Sequence, residues 1–246
     1  MKLVRWFFKT IKWIVILFFT STILAVVAFR FLPVPLTPFM VIRSIQQQKE
    51  GNGFAINHTW VPLNQISPHL PVAVMASEDQ WFLKHHGFDT DAIKKAAEYN
   101  KTHKRKLGAS TITQQTAKNV FLWPDRTWVR KGFETYFTVL IELFWSKQRI
   151  MEVYLNSIEM GDGIYGAEEV AQKHFNKTAS SLTREECALI AASLPNPHKY
   201  NTKRPDKFLR KKQKHVLRQM KFMPSFPKEG ETYDPNTTSG GIYHKK

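Results

Sequence analysis

The chain has 246 residues, of which 43% are hydrophobic and 23% charged, enough for one globular domain with a buried core. Its 36 Lys and Arg residues against 20 Asp and Glu residues give a formal net charge of +16, which favours an anionic partner: nucleic acid, lipid headgroups or a phosphate-bearing substrate. The single cysteine, Cys187, excludes an internal disulfide and a cysteine-based zinc cluster, and its apolar helical setting indicates an inert core residue.

The first predicted element is an apolar segment, "WIVILFFTSTILAVVAFRFL", at residues 13–32. A helix of about 20 apolar residues crosses a bilayer. Segment 1–12 carries four basic residues, which predicts a cytoplasmic N-terminus and an exported main part. A cleaved signal peptide is the alternative, but the run is longer than a usual secretory core and no small-x-small cleavage site follows it. We therefore predict an uncleaved single-pass anchor.

Three segments follow the anchor. Residues 33–54 form a connector that begins rich in proline, and residues 55–222 form the folded region. Residues 223–246 are rich in Pro, Gly, Ser and Thr and have no apolar period, so we predict a loose tail. No internal repeat is visible in the chain.

Helical signals dominate the folded region. One helix is predicted to begin at Asp89 or Thr90, and another to have Ser110 as its N-cap. A capping box formed by Thr183 and Glu186 opens a third. No alternating run is convincing as a strand, so the predicted class is mainly α.

Apolar residues at helical spacing predict which faces of the later helices point to the core. The long helix after residue 126 has one apolar stripe, and the next helix has apolar residues four positions apart. A last helix, with its own apolar face, is predicted to begin near Pro205. The residues concerned are Val129, Phe133, Phe137, Leu140 and Phe144, then Ile150, Tyr154 and Ile158, and finally Phe208, Leu209, Val216 and Leu217.

The stretch "ASEDQWFLKHHGFD" places the adjacent carboxylates Glu78 and Asp79 ahead of two aromatic residues and a His-His pair. Taken alone, Glu78 is more often structural than catalytic. His85 and His86 resemble metal ligands, but no second cluster at ligand spacing supports a zinc site.

Three charged residues elsewhere have a simple surface interpretation. Arg130 and Glu134 are four apart beside the apolar stripe, which taken alone indicates an exposed salt bridge. Lys118, with Asn119 after it, is compatible with a solvated helix C-terminus.

Together, however, the segments resemble an ordered set of motifs. "EDQWFLKHHG", "GASTITQQTAKN", "RKGFE" and "KQRIMEVYLN" are similar to the motifs of the peptidoglycan glycosyltransferases, and "GDGIYGAEEVAQKHF" and "LPNPHKYN" to their closing segments. The resemblance spans roughly residues 55–205; "YNTKRP" departs from it, because the family often has proline directly after the asparagine. No penicillin-binding transpeptidase domain fits after residue 222, so we expect the monofunctional, membrane-anchored type without transpeptidase activity.

The resemblance implies a lysozyme-like catalytic domain with a larger lobe and a smaller lobe near the membrane. The implied reaction polymerises lipid II. The growing strand, linked to undecaprenyl diphosphate, is transferred with inversion onto the 4-hydroxyl of the lipid II GlcNAc, and undecaprenyl diphosphate is released. The implied location is the bacterial cell inner membrane, with the catalytic domain in the periplasm and with cell-wall synthesis and division proteins as further partners.

Two carboxylates would carry the chemistry. A sugar hydroxyl needs a base, for which we choose Glu78, and a departing diphosphate needs positive charge. Glu134 is the second carboxylate of the resemblance, beside the donor phosphates or the basic residues. The expected substrate-binding residues are Ser110, Thr111, Gln114, Gln115, Lys118, Asn119, Arg126, Arg130 and Lys131. The supporting residues are Asp79, Phe82, His85, Gly108, Lys147, Tyr154 and Asn156.

Two further expectations concern the site. Mg²⁺ or Mn²⁺ would bind through the substrate diphosphate, without a metal-binding cluster in the protein. Residues 86–107, with Gly108 as a hinge, are a candidate flap over the donor site.

Two other functions are weighed against the transferase. One is a lysozyme-like glycan-cleaving enzyme, which needs a proton-donating Glu in an apolar pocket but gives no reason for the cationic residues. The other is a non-enzymatic, membrane-anchored basic binding module. Nucleic acid is not an expected partner, because the basic residues form no recognisable nucleic-acid-binding signature and the anchor exports the domain.

Overall fold

The computed structural model describes residues 2–51, 53–104, 106–228 and 230–231, so most of the predicted tail lies outside the described residues. Within the described part the chain is mainly helical, which confirms the predicted class. The helices are α1 (Lys2–Phe29), α2 (Pro38–Lys49), α3 (His69–Glu78), α4 (Thr90–Thr102), α5 (Ile112–Phe121), α6 (Trp128–Phe144), α7 (Lys147–Ser157), α8 (Ala167–Phe175), α9 (Arg184–Ser193) and α10 (Lys207–Gln219). The strands are β1 (Asn57–His58), β2 (Glu159–Gly161) and β3 (Ile164–Tyr165), and two short 3₁₀ helices cover Leu63–Gln65 and Ala179–Ser181.

Helix α1 contains a stretch long and apolar enough to cross a membrane, Leu3–Phe29, with a mean hydropathy of 2.2. Its C-terminal half packs along α6. The rings of Phe18 and Phe133 lie 5.7 Å apart, and the hydroxyl of Thr22 lies 2.8 Å from that of Tyr136. The predicted anchor helix is therefore in direct contact with the folded domain.

A further helix, α2, lies inside the segment predicted as a connector. The Thr37 side chain accepts a hydrogen bond from the backbone N–H of Met40, and Pro38 occupies the first helical position. Helix α2 packs against α5. The pair of a hydroxyl N-cap and a following proline is a sequence signal that could have predicted this helix.

Two of the three predicted N-cap positions are correct. Asp89 caps α4, and the predicted capping box at Thr183 opens α9. The prediction of Ser110 as the cap of α5 is wrong, because Thr111 caps this helix. Thr111 has a glutamine three residues later that closes a capping box, and this reciprocal pair favours Thr111 over its neighbour.

The predicted apolar faces are largely buried. In α6, Phe137 and Leu140 lie in the core, but Val129 is 66% exposed. Val129 lies in the first turn beside Trp128, which is 90% exposed, so α6 joins the core only after that turn. In α10 the predicted face is buried at Leu209 and Val216 and exposed at Phe208. Ile150 and Tyr154 in α7 and Ile158 directly after it are all buried.

The chain forms a small sheet that the sequence did not predict. Its strand order is β1-β3-β2, with β1 parallel and β2 antiparallel to β3. Strands of two or three residues are too short to show the alternation that predicts a strand. Gly166 follows β3 with a φ of 86°, and a Cβ atom there would lie 2.7 Å from the carbonyl oxygen of Asn156. This close approach joins the sheet to α7.

Candidate active site

Glu78 is the last residue of α3, and two side chains hold its carboxylate. Gln115 on α5 donates from Nε2 to Oε2 at 3.1 Å, and Ser77 donates from its hydroxyl to Oε1 at 3.1 Å. Burial raises the pKa of Glu78 above its ordinary value, although both hydrogen bonds oppose this shift. A carboxylate with a raised pKa is a stronger base than a solvated one.

Asp79 fixes the loop that follows Glu78. It is buried and binds Nε2 of His85 through both oxygens, at 2.8 and 2.9 Å. Its Oδ2 also accepts a hydrogen bond from the backbone N–H of Ile112 at 3.0 Å. Asp79 therefore joins this loop to the first turn of α5, the helix that carries Gln115.

A cavity of about 370 Å³ lies beside Glu78. Glu78 does not line it directly, but its partner Gln115 does. The cavity contains four cationic side chains against two acidic ones. The sequence-predicted residues that line it are Ser110, Gln114, Gln115, Lys118, Arg126, Arg130, Lys131 and Glu134, and the others are Phe39, Pro124 and Asp125.

Arg130 and Glu134 form a buried pair, so the interpretation as an exposed salt bridge is wrong. They are 8% and 3% exposed, and Nη1 of Arg130 donates to Oε2 of Glu134 at 2.5 Å. The amino group of Lys131 binds the other oxygen of Glu134. Nε of Arg130 is buried without a hydrogen-bond partner among the described residues. An unpartnered guanidinium donor at the cavity suits an anionic ligand.

Lys118 is half-buried rather than solvated at the end of its helix. Burial lowers the pKa of Lys118, and the charges of Arg130 and Lys131 act in the same direction, whereas that of Glu134 opposes them. Its amino group also lies 5.6 Å from the ring centre of Phe39. An ammonium group in this crowded cationic setting would gain from a bound anion.

Two residues predicted to bind substrate are not among those that line the cavity. Thr111 caps α5, and its hydroxyl donates to the carbonyl oxygen of Gly87 at 2.7 Å. Asn119 is buried and donates to the carbonyl oxygen of Gln115 at 2.9 Å. The structure gives both side chains contacts within the protein.

Tyr154 and Lys147 contact the surroundings of the site. The hydroxyl of Tyr154 donates to Oε1 of Gln115 at 3.2 Å, which orients the amide that holds Glu78. The amino group of Lys147 donates to the carbonyl oxygen of His85 at 2.7 Å and lies 4.6 Å from the ring centre of Phe82.

Asn156 and Gly108 lie outside this network. Asn156 binds the backbone of Val61, accepting from its N–H and donating to its carbonyl oxygen, both at 2.9 Å. Gly108 is exposed, and a Cβ atom there would meet nothing within 4 Å. Packing therefore does not require a glycine at position 108.

One group of potential metal ligands is present in the described part of the chain. Ligand atoms of Glu159, Asp162 and His198 lie within 4.8 Å of one another. Nδ1 of His198 lies 3.0 Å from a carboxylate oxygen of Asp162, and Nε2 lies 3.1 Å from one of Glu159. Each carboxylate therefore contacts a different nitrogen of the ring. Arg43 also lies 3.1 Å from Nε2. The two carboxylate contacts suit a protonated imidazole better than a bound metal ion, although the charge of Arg43 opposes protonation.

Sequence reasoning missed two residues near the site. Phe39 lines the cavity from α2, and the proline after Thr37 was the signal for that helix. Lys212 on α10 lies close enough for its charge to lower the pKa of Glu78. Nothing in the sequence indicated that α10 approaches α3, because that contact depends on the tertiary fold.

The helical fold thus places a half-buried carboxylate, Glu78, near a cavity lined by four cationic side chains. A family model described as Transglycosylase matches residues 44–221. Proteins named biosynthetic peptidoglycan transglycosylase are similar to this chain. The relative from Bacteroides thetaiotaomicron is 61% identical over 87% of this chain and 86% of its own length. Those from Bdellovibrio bacteriovorus and Haemophilus influenzae are 53% and 46% identical, over 89% and 88% of this chain and 88% and 89% of their own lengths.

The chain belongs to the transglycosylase family. It is accordingly a glycosyltransferase with a lysozyme-like domain, and its apolar N-terminal helix is consistent with a membrane anchor.

Proposed function

We propose that this enzyme polymerises lipid II into the glycan strands of peptidoglycan. The observation that carries the proposal is the position of Glu78, which is hydrogen-bonded to Gln115 at the edge of a cavity with four cationic side chains. The relatives named biosynthetic peptidoglycan transglycosylase support peptidoglycan as the product. A base beside an anion-binding cavity is the arrangement that transfer from a sugar diphosphate needs.

Glu78 acts as the general base. It takes the proton from the 4-hydroxyl of the lipid II GlcNAc while that oxygen forms a bond to the anomeric carbon of the donor muramoyl unit. The bond from this carbon to the diphosphate breaks, and the electron pair leaves with undecaprenyl diphosphate. Attack opposite the leaving group inverts an α-linked diphosphate into a β-1,4 glycoside. The raised pKa of Glu78 favours this proton transfer.

The cationic cavity stabilises the leaving diphosphate. Arg126, Arg130, Lys118 and Lys131 line it, and a guanidinium group suits bidentate contact with phosphate oxygens. The diphosphate leaves as a stable anion, so the site needs positive charge more than a strong general acid. Nε of Arg130, buried and unpartnered within the described chain, is the donor best placed to gain a phosphate acceptor.

Glu134 orients the cationic residues. Its two oxygens bind Arg130 and Lys131, so neither is free to act as a base in this arrangement. A buried carboxylate between two cations holds them at fixed positions along the cavity wall. We assign the base to Glu78 and this supporting role to Glu134.

A protein-held Mg²⁺ ion does not fit the residues of the cavity. The oxygens of Glu134 are engaged by cations, and Asp125 is exposed and accepts from the backbone N–H of Arg126 at 2.6 Å. Mg²⁺ prefers several oxygen ligands in octahedral geometry. A divalent ion would therefore enter only with the substrate diphosphate, and a chelator should slow turnover without changing the melting temperature of the free enzyme.

The membrane surface is the second partner that we propose. Beside the anchor, the outer face of α6 exposes Val129, Val139 and Leu143, which are 66%, 52% and 71% exposed. This apolar face lies next to a helix suited to span the bilayer, so we place it at the membrane interface. The basic segment 1–12 favours a cytoplasmic N-terminus and a catalytic domain on the opposite side.

A glycan-cleaving enzyme is the competing function. Cleavage uses a carboxylic acid that donates its proton to the glycosidic oxygen, and the raised pKa of Glu78 suits that role too. Cleavage does not explain the four cations at the cavity, and on that ground we favour transfer. A non-enzymatic basic module is not retained, because the chain belongs to an enzyme family.

The test is incubation of the full chain in liposomes with purified lipid II, and separately with isolated sacculi. We expect a glycan polymer and released undecaprenyl diphosphate from lipid II, and no shortening of the sacculi. Fragments from sacculi without polymer from lipid II would overturn the proposal.

A further inference from the structure

Side chains of the catalytic domain bind the end of the membrane helix. The indole N–H of Trp145 donates to the carbonyl oxygen of Val26 at 2.7 Å. Arg149 donates from Nε and Nη2 to the carbonyl oxygen of Phe29, at 3.0 and 2.9 Å, and Nη2 also binds the carbonyl oxygen of Leu32. The last carbonyl groups of a helix lack partners within it, so Arg149 completes the C-terminus at Phe29, whereas the carbonyl oxygen of Val26 also accepts from the backbone N–H of Arg30 at 3.1 Å.

Arg149 is itself held firmly on α7. Its Nη1 binds Oε1 of Glu152, and the other oxygen of Glu152 accepts from the backbone N–H of Leu63 at 2.9 Å. The guanidinium carbon lies 5.1 Å from the ring centre of Trp60. A guanidinium with an ion pair, an aromatic ring and two carbonyl groups around it has little freedom to move.

Helix α7, which carries Arg149, also contacts the active site. Tyr154, five residues after Arg149, donates to Gln115, which donates to Glu78. Helix α7 is buried between these points, with Ile150 and Met151 fully inside the core. A short, rigid helix thus connects the end of the anchor with the proposed base.

We propose that Arg149 is a positioning residue that fixes the depth at which the active-site cavity meets the bilayer. Because the substrate is tethered in the bilayer, its diphosphate lies at a fixed depth, and a cavity held at that depth meets it more often. The inference rests on the proposed function, since it concerns a lipid-linked substrate. Without Arg149 the domain stays tethered by the chain but samples a wider range of depths.

The first experiment measures depth without any substrate. A fluorophore is attached to Lys214→Cys, an exposed position on α10, since the native Cys187 is buried. Energy transfer to labelled lipid headgroups in liposomes then reports its height above the bilayer. We expect the height distribution to broaden in Arg149→Met and to be unchanged in Arg184→Met, an arginine on α9.

The second experiment compares two substrates for each variant. One is lipid II in liposomes, and the other is a water-soluble analogue with a short prenyl chain, for which depth is irrelevant. We expect Arg149→Met to lose about tenfold in kcat/KM on the bilayer substrate, the scale of one lost hydrogen bond to a charged group, and to keep its activity on the analogue. Arg149→Lys should restore part of the loss.

Trp145→Phe serves as a second variant if Arg149→Met folds poorly. It removes only the donor to Val26 and keeps the aromatic packing, and we expect a smaller change of the same kind in both experiments. Unchanged height and an unchanged ratio of the two activities would overturn the inference. Equal losses on both substrates would also overturn it, because they indicate a general structural role. Absence of polymer from the wild type would instead contradict the proposed function and leave the height measurement valid.

Discussion

The charge state of Glu78 links its chemistry to the stability of the fold. Burial raises its pKa in the folded protein, so ionisation of the side chain costs free energy there. The folded pKa lies above the unfolded one, so the stability contributed by the protonated form is present at low pH and is lost as pH rises through the folded pKa. The base that catalysis needs is therefore the less stable form.

Glu78→Gln removes this ionisation while keeping an oxygen that can accept the hydrogen bond from Gln115. We expect the variant to match the wild type in stability at acidic pH and to exceed it increasingly as pH rises through the pKa of Glu78. Urea unfolding across a pH series measures the difference. A wild type that gains on the variant as pH rises would contradict the assigned direction of the pKa shift.

Arg130 combines a structural and a binding role. Its partner Glu134 is 3% exposed, so removal of the guanidinium leaves a buried carboxylate with Lys131 as its remaining partner. We expect Arg130→Met to destabilise the protein by about 3 kcal/mol, the usual cost of breaking a buried ion pair. Chemical unfolding measures this cost.

Arg130→Lys keeps the charge but not the fork of donors. We expect it to preserve most of the stability and to lower kcat/KM on lipid II by at least about tenfold, because bidentate contact with phosphate is lost. Arg184→Lys is the matched control and should change neither quantity. Full activity in Arg130→Lys would show that this guanidinium does not hold the diphosphate.

At the scale of elements, local signals predicted helix starts well. Asp89 and Thr183 cap α4 and α9 as their sequence positions indicated. Local sequence signals failed where tertiary packing determines burial or pairing. The i,i+4 spacing of Arg130 and Glu134 is the same on a surface and in a core, so only the packing of α5 on α6 shows that the pair is buried. Strand β1 pairs with β3, about 100 residues later in the chain, and no local pattern reveals a contact of that separation.

The junction of β3 and α8 depends on Gly166. Its φ of 86° is strained for other residues, and a Cβ atom there would lie 2.7 Å from the carbonyl oxygen of Asn156. We expect Gly166→Ala to lower the free energy of unfolding by about 3 kcal/mol, from backbone strain and steric overlap together. Chemical unfolding should show no comparable loss in Gly108→Ala, where a Cβ meets nothing within 4 Å. Equal effects at the two positions would contradict the described geometry.

His198 connects three elements by charge. Its ring nitrogens face Glu159 on β2 and Asp162 after it, and Arg43 on α2 approaches the same ring. The hydrogen bond to Glu159 raises the pKa of His198 despite partial burial and the charge of Arg43. Since the folded pKa is raised, the stabilisation is complete below the unfolded pKa of about 6.5 and is lost as pH rises through the folded value.

His198→Gln should therefore cost stability at acidic pH and progressively less as pH rises. Thermal unfolding of both proteins from about pH 5.5 to about pH 9 spans the titration. His86→Gln is the control, because the structure gives that histidine no contact with this cluster. A cost that does not depend on pH would indicate that the imidazole acts only by packing.

At the scale of the whole molecule, the anchor and the catalytic domain form a connected structure. Helix α1 packs on α6 through Phe18 and Thr22, and Arg149 completes its C-terminus. The sequence predicted the anchor from hydropathy and the site from ordered motifs. It could not predict that the two are joined through α7, because Trp145 and Arg149 belong to the domain and their partners are backbone carbonyl groups.

Part of the excess positive charge lies around the proposed active site. Four cationic side chains line the cavity, and α10, close to Glu78, carries further exposed lysines. A net charge of +16 attracts an anionic membrane surface and an anionic substrate to the same region. The composition alone left nucleic acid among the anionic partners, whereas the function we propose assigns the cations at the cavity to a lipid-linked diphosphate.

Polymerisation of lipid II by Glu78→Gln, in liposomes and beside the wild type, tests the central claim most directly. We predict that the variant folds, binds lipid II and forms no polymer, while Glu185→Gln, which changes an exposed carboxylate on α9, polymerises at the wild-type rate. Polymer formation by Glu78→Gln at an undiminished rate would show that another group removes the proton, and would contradict the account.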